Sequence, residues 1–134
     1  MSYRFPFLCA AIFGLTGVVL GAAGAHGSLR QRLDAFGTHG NWETAVQYQL
    51  IHAVVLLFVA LWWKLNAGDK NRRTARAAGL LVLGVGFFSG SIYVLALGGP
   101  RWLGPVTPVG GLLLVGGWGL LLLEAIFGPK PARP

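Results

Sequence analysis

Four stretches of this chain carry no charge, and each is long. Between Arg4 and Arg30 lie 25 residues without Asp, Glu, Lys or Arg; between Glu43 and Lys64 lie 20, between Arg76 and Arg101 24, and between Arg101 and Glu124 22. A helix needs about 20 mostly apolar residues to cross the hydrocarbon core of a bilayer. In a water-soluble bundle each helix keeps a polar face, and these segments keep none. Only 11% of the 134 residues are charged, against roughly 25% in a soluble domain, too few to cover a surface facing water. The chain therefore reads as an all-α integral membrane protein, one four-transmembrane-helix bundle. Its helices are expected over about 5–25, 42–65, 75–97 and 107–127.

The net charge of +7 invites a nucleic-acid reading, but its distribution favours the membrane. Lys and Arg accumulate on loops that stay in the cytoplasm. With the N-terminus inside, that side collects Arg4, Lys64, Lys70, Arg72, Arg73, Arg76, Lys130 and Arg133, and the other holds only Arg30, Arg32 and Arg101. Eight against three predicts both termini in the cytoplasm. The basic loop 70–76 could also attract anionic headgroups, at roughly 1 kcal/mol per basic residue; its role as a topology signal is the preferred reading. The first apolar run exceeds the roughly 7–15 residues of a signal-peptide core, so it reads as a retained helix. Cys9 is the only cysteine, which excludes an intrachain disulfide and a multi-thiolate metal site.

Small residues mark the packing faces. Gly17 and Gly21 form a GxxxG pair, Ala10 and Gly14 show the same spacing earlier on that helix, and Gly86 and Gly90 repeat it on the third helix. Such residues let two helix backbones approach closely in a membrane. After Gly27 comes SLRQRLDAF, with Leu29, Leu33 and Phe36 at helical spacing. It is expected to be a short amphipathic helix lying on the outer headgroup surface. The turn 37–41 follows, with Asn41 as the expected cap of the second helix. Asn66–Thr74 is the expected inner loop, Trp42 and Trp102 the expected markers of the outer interface, and Thr107-Pro108 the expected start of the fourth helix. The tail GPKPARP reads as mobile.

With that topology, nearly every strongly polar side chain inside the membrane falls in its outer half. Helix one leaves at His26. Helix two enters with Gln47, Tyr48, Gln49 and His52, helix three leaves with Ser89, Ser91 and Tyr93, and helix four re-enters with Thr107. Thr44, Tyr48 and His52 form one stripe at i, i+4, i+8, which puts His52 about 12 Å beyond Thr44. A polar group at that depth needs a partner, because hydrocarbon offers none. In one reading these groups bond to facing helices and set their register. In the other they line a small cavity open to the outside. Trp118 fills space beside glycines in the first reading and walls the cavity in the second. The structural reading is preferred.

The segments GAAGAHG (21–27), ETAVQYQLIHAVVLL (43–57), FFSGSIYVLALGG (87–99) and VTPVGGLLLVGGW (106–118) resemble, in order, those of the bacterial domain-of-unknown-function family 423, which has transmembrane protein 256 among its eukaryotic relatives. The resemblance implies a small integral membrane protein without an established activity. Residues and resemblance together lead to a non-enzymatic protein of the bacterial inner membrane whose outer polar pocket holds lipid, water or a partner. Membrane lipids, a second copy of the chain or a larger membrane complex are the expected partners; nucleic acid, metal and cofactor are not. Two alternatives follow from the same residues: a small transporter or channel using the pocket, and a haem- or quinone-binding accessory subunit, with His26 and His52 as the axial ligands of a haem.

Overall fold

The computed structural model describes residues 2–65 and 72–128. Five α-helices appear in order: α1 (Arg4–Ala25), α2 (Gly27–Phe36), α3 (His39–Leu65), α4 (Arg72–Ala96) and α5 (Val106–Phe127), with a 3₁₀ turn at Arg101–Leu103 before the last. No strand occurs among the described residues. Four of the helices are long and apolar enough to cross a membrane. In the most apolar window of α1 and of α5, only 17% of residues are buried within the chain. A helix that is apolar all round yet mostly exposed suits lipid rather than water.

Glycines set two of the reversals. Gly37, at φ +66°, ends α2 in the left-handed conformation, and Thr38 N–H returns to the Leu33 carbonyl at 2.9 Å. Gly98, at φ +83°, ends α4 in the same way, with Gly99 N–H on the Val94 carbonyl at 2.9 Å. A residue with a Cβ is strained in this conformation, which is why helices so often close on glycine. Both reversals lie at one end of the bundle, and α2 joins them. The Thr38 hydroxyl donates to the Ala96 carbonyl at 2.8 Å, and Arg32 Nη2 to the Leu97 carbonyl at 3.3 Å. The last carbonyls of α4, which have no partner in their own helix, are thus taken up by the α1–α3 connection.

Several boundaries differ from expectation. α3 starts at His39, so Asn41 lies inside it. The Thr38 carbonyl accepts the Trp42 N–H at 3.1 Å, one turn earlier than an Asn41 cap would allow. α4 starts at Arg72 and includes Thr74; residues 66–71 of the expected inner loop are outside the described residues, as are 129–134 of the expected tail. α5 starts at Val106, which puts Thr107 within the helix and Pro108 in its first turn, where no intrahelical N–H is needed.

The long helices stand in a row. α1 packs on α3, α3 on α4, and α4 on α5, the last pair most extensively. One buried cluster, including Leu56, Leu81, Val85 and Leu114, joins α3, α4 and α5 with Ala10 of α1. A second, of Leu33, Trp42 and Ala96, fastens α2 onto α3 and α4. Trp42 is 3% exposed and donates its indole N–H to the Leu20 carbonyl at 3.0 Å. It is a core residue, not the interface marker expected from sequence, because Gly24 opens α1 to its ring.

Candidate functional site

Several of the buried polar side chains are engaged in bonds between helices. Gln49, 5% exposed, sits between α1 and α4. Its Nε2 donates to the Phe13 carbonyl at 2.8 Å and to Thr16 Oγ1 at 2.7 Å. A carbonyl only accepts, so the amide nitrogen must face α1. Its Oε1 therefore faces α4 and accepts the Tyr93 hydroxyl at 2.9 Å. Thr16 spends its own proton on the Ile12 carbonyl at 2.7 Å, and this is consistent with its accepting from Gln49. One amide thereby ties three helices together.

His52 makes the second junction. Trp118 Nε1 approaches His52 Nε2 at 3.2 Å, while His52 Nδ1 lies 2.7 Å from the Tyr48 carbonyl. An indole N–H can only donate, and a carbonyl can only accept. Nε2 is therefore bare, Nδ1 carries the proton, and the ring is held in one neutral tautomer. The Tyr48 ring stacks over His52 at 6.0 Å and meets Phe88 at 4.5 Å, which closes one side of the imidazole. Trp118 reaches His52 across the space between α5 and α3, helices that are not neighbours in the row.

The serines complete the pattern. Ser89 donates to the Ala45 carbonyl of α3 at 2.9 Å. Ser91 donates to the Phe88 carbonyl at 3.0 Å and lies 2.7 Å from Thr107 Oγ1. With the Ser91 proton already used, Thr107 is the donor across the α4–α5 contact. Two of the ten candidates stand apart. His26 is exposed at the extended α1–α2 junction, and Gln47 is exposed on the face of α3 opposite His52.

Grooves on the surface touch these residues singly. One of about 440 Å³ between α3 and α5 includes Trp118, one of about 600 Å³ on α4 and α5 includes Ser91, and one of about 560 Å³ between α1 and α3 includes Gln47. The axial-ligand pairing of His26 with His52 does not form. His26 follows Gly24, which packs against Trp42 near the start of α3, and His52 lies ten residues, about 15 Å, beyond Trp42 along that helix. Among the described residues no three His, Cys, Asp or Glu side chains come together.

The packing glycines also need correction. Gly17 and Gly21 do lie against α3: a Cβ there would come within 2.7 Å of Leu50 Cδ2 and 3.2 Å of Val46 Cγ1, respectively. Gly14, Gly86 and Gly90 meet nothing within 4 Å. The close α4–α5 contact uses Gly84, Gly110 and Gly117 instead. A Cβ at Gly84 would fall 2.9 Å from the Leu114 backbone nitrogen, and one at Gly110 would press on the backbone of Phe88. Thr16, Arg32 and Thr38 were further omissions. A lone Thr or Arg among apolar residues signals nothing about which carbonyl it will meet.

Comparison with known proteins places this framework. The family model described as "Protein of unknown function (DUF423)" matches residues 20–111. A UPF0382 membrane protein of Staphylococcus haemolyticus is 39% identical over 117 residues, covering 87% of this chain and 91% of its own. The UPF0382 inner membrane protein YgdD of Escherichia coli K12 is 37% identical over 131 residues, covering 94% and 92%. No solved structure matches the chain. Four spanning-length apolar helices and relatives named as membrane proteins make this a multi-pass membrane protein.

Proposed function

Because the chain belongs to the DUF423 family, proteins of unknown function, we propose a role that needs no chemistry: a non-catalytic protein of the bacterial inner membrane, acting through what binds at its outer faces. Both termini are cytoplasmic in this reading, on the strength of the eight-to-three division of Lys and Arg. α2 then lies along the outer surface, with Leu33 inward and Arg32 and Asp34 at headgroup level. Lipids meet the exposed sides of α1 and α5, and a second copy or a larger complex is the protein partner these faces suit.

The observation that carries the reading is the state of His52. A general base, a proton relay or a haem ligand needs a ring nitrogen that is free to act. Here Nε2 is held by Trp118 and Nδ1 by the Tyr48 carbonyl. The polar residues of the layer accordingly serve as fasteners between helices. Reconstituted liposomes test this. Neither the parent protein nor His52→Ala should conduct ions or solutes above protein-free vesicles, and the purified protein should show no Soret band. A flux that disappears with His52→Ala would establish the transporter alternative. Native mass spectrometry from mild detergent tests the binding role, which a bare monomer without lipid or partner would end.

A further inference from the structure

The groove between α1 and α3 differs from the other two in joining charges of both signs to an apolar floor. Its floor is Gly21 and Gly24 of α1 with Val46 and Leu50 of α3, and its mouth is Arg30 of α2 with His39, Glu43 and Gln47 of α3. Gly21 and Gly24 let Val46 and the Trp42 indole of α3 seat directly on α1, since a Cβ at either glycine would meet them, and the groove runs along this seam. From Glu43 to Leu50 is seven residues, so the groove runs about 10 Å along the helix, away from the α2 end.

The polar groups at the mouth have capacity to spare. Arg30 Nε donates to Asp34 Oδ2 at 2.7 Å, which steadies the guanidinium and leaves both Nη groups without a bond among the described residues. Glu43 is two-thirds exposed, and His39 Nδ1 lies 3.6 Å from its carboxylate, beyond hydrogen-bond length. The Gln47 amide is exposed and makes no hydrogen bond among the described residues. A guanidinium fits a phosphodiester, and a carboxylate beside an amide oxygen fits an ammonium group. We propose that this groove binds one phospholipid with a primary-amine headgroup, phosphatidylethanolamine in class, with phosphate at Arg30, ammonium at Glu43 and an acyl chain along Gly21 to Leu50.

Headgroup chemistry makes the assignment selective. Phosphatidylglycerol offers no cation to Glu43, and phosphatidylcholine offers one without N–H donors. The inference adds a ligand class to the binding role proposed above and rests on the helices spanning a bilayer. It stands apart from the His52 reading, which is tested by flux and colour.

The test is native mass spectrometry of the full chain in mild detergent, given equimolar phosphatidylethanolamine, phosphatidylcholine and phosphatidylglycerol with identical acyl chains. The parent should retain phosphatidylethanolamine over phosphatidylglycerol by about fivefold, the scale of a well-placed exposed ion pair. Glu43→Gln, at an exposed position that does not threaten folding, should bring that ratio near one. Arg30→Gln should lower retention of all three lipids, and Val46→Trp should remove the adduct by filling the floor. Gly90→Leu, in the groove on α4 and α5, should change nothing. Equal retention of the three lipids by the parent, or a preference that survives Glu43→Gln, overturns the proposal.

Discussion

At the scale of single residues, Gln49 and His52 illustrate how a polar group is accommodated among apolar helices. Each finds partners on helices other than its own, Gln49 on α1 and α4 and His52 on α5. Such bonds average only about 0.6 kcal/mol in a membrane protein and reach about 1.7. Tyr93→Phe and Trp118→Phe should therefore each cost roughly 0.5–1.7 kcal/mol in reversible unfolding from mixed micelles. Unchanged stability in both would remove these bonds from the account. Nitrogen NMR of the imidazole gives a second measurement: His52 should be neutral, with the proton on Nδ1, and Trp118→Phe should relax that preference. A proton found on Nε2 would contradict the Trp118 bond outright. That these residues lie within an apolar spanning-length helix was readable from their distance to the nearest charges. Their partners were not, because Phe13 and Tyr48 contribute carbonyls that every residue possesses.

Glycine decides matters at the scale of the helix pair. The chain has 21 of them, and helical periodicity alone cannot say which face another helix will cover. Gly17 and Gly21 were legible as a GxxxG pair, whereas Gly84, Gly110 and Gly117 follow no short repeat and still bring α4 and α5 together. A methyl at Gly110 would meet the Phe88 backbone, which cannot turn aside as a side chain can. Gly110→Ala is expected to destabilise by about 1–3 kcal/mol, the usual cost of overpacking. Gly86→Ala and Gly90→Ala, with open space around them, should leave the melting point unchanged. Equal losses at all three positions would mean that α4 is covered on its open face as well.

The whole molecule is a row of helices, so two of the four expose most of their surface to whatever surrounds them. Its orientation makes a direct prediction. In a Cys9→Ala background, Ser28→Cys should react with a membrane-impermeant maleimide from outside intact spheroplasts, and Ser2→Cys only after lysis. The reverse pattern would invert the orientation and with it the lipid leaflet that meets the α1–α3 groove. Both positions reacting from one side would be incompatible with a single crossing by α1.

Four membrane-length helices followed from the sequence alone, because charge cannot be buried in hydrocarbon and its absence over 20 residues or more leaves few alternatives. Which glycines touch, which carbonyls receive Gln49, Arg32 and Thr38, and how Trp118 reaches His52 were decided only by the tertiary structure. These hydrogen bonds join residues 36 to 66 positions apart, and most of their partners are backbone groups identical in kind to many others. Hydropathy sets depth in the membrane, whereas rotation about each helix axis depends on its neighbours.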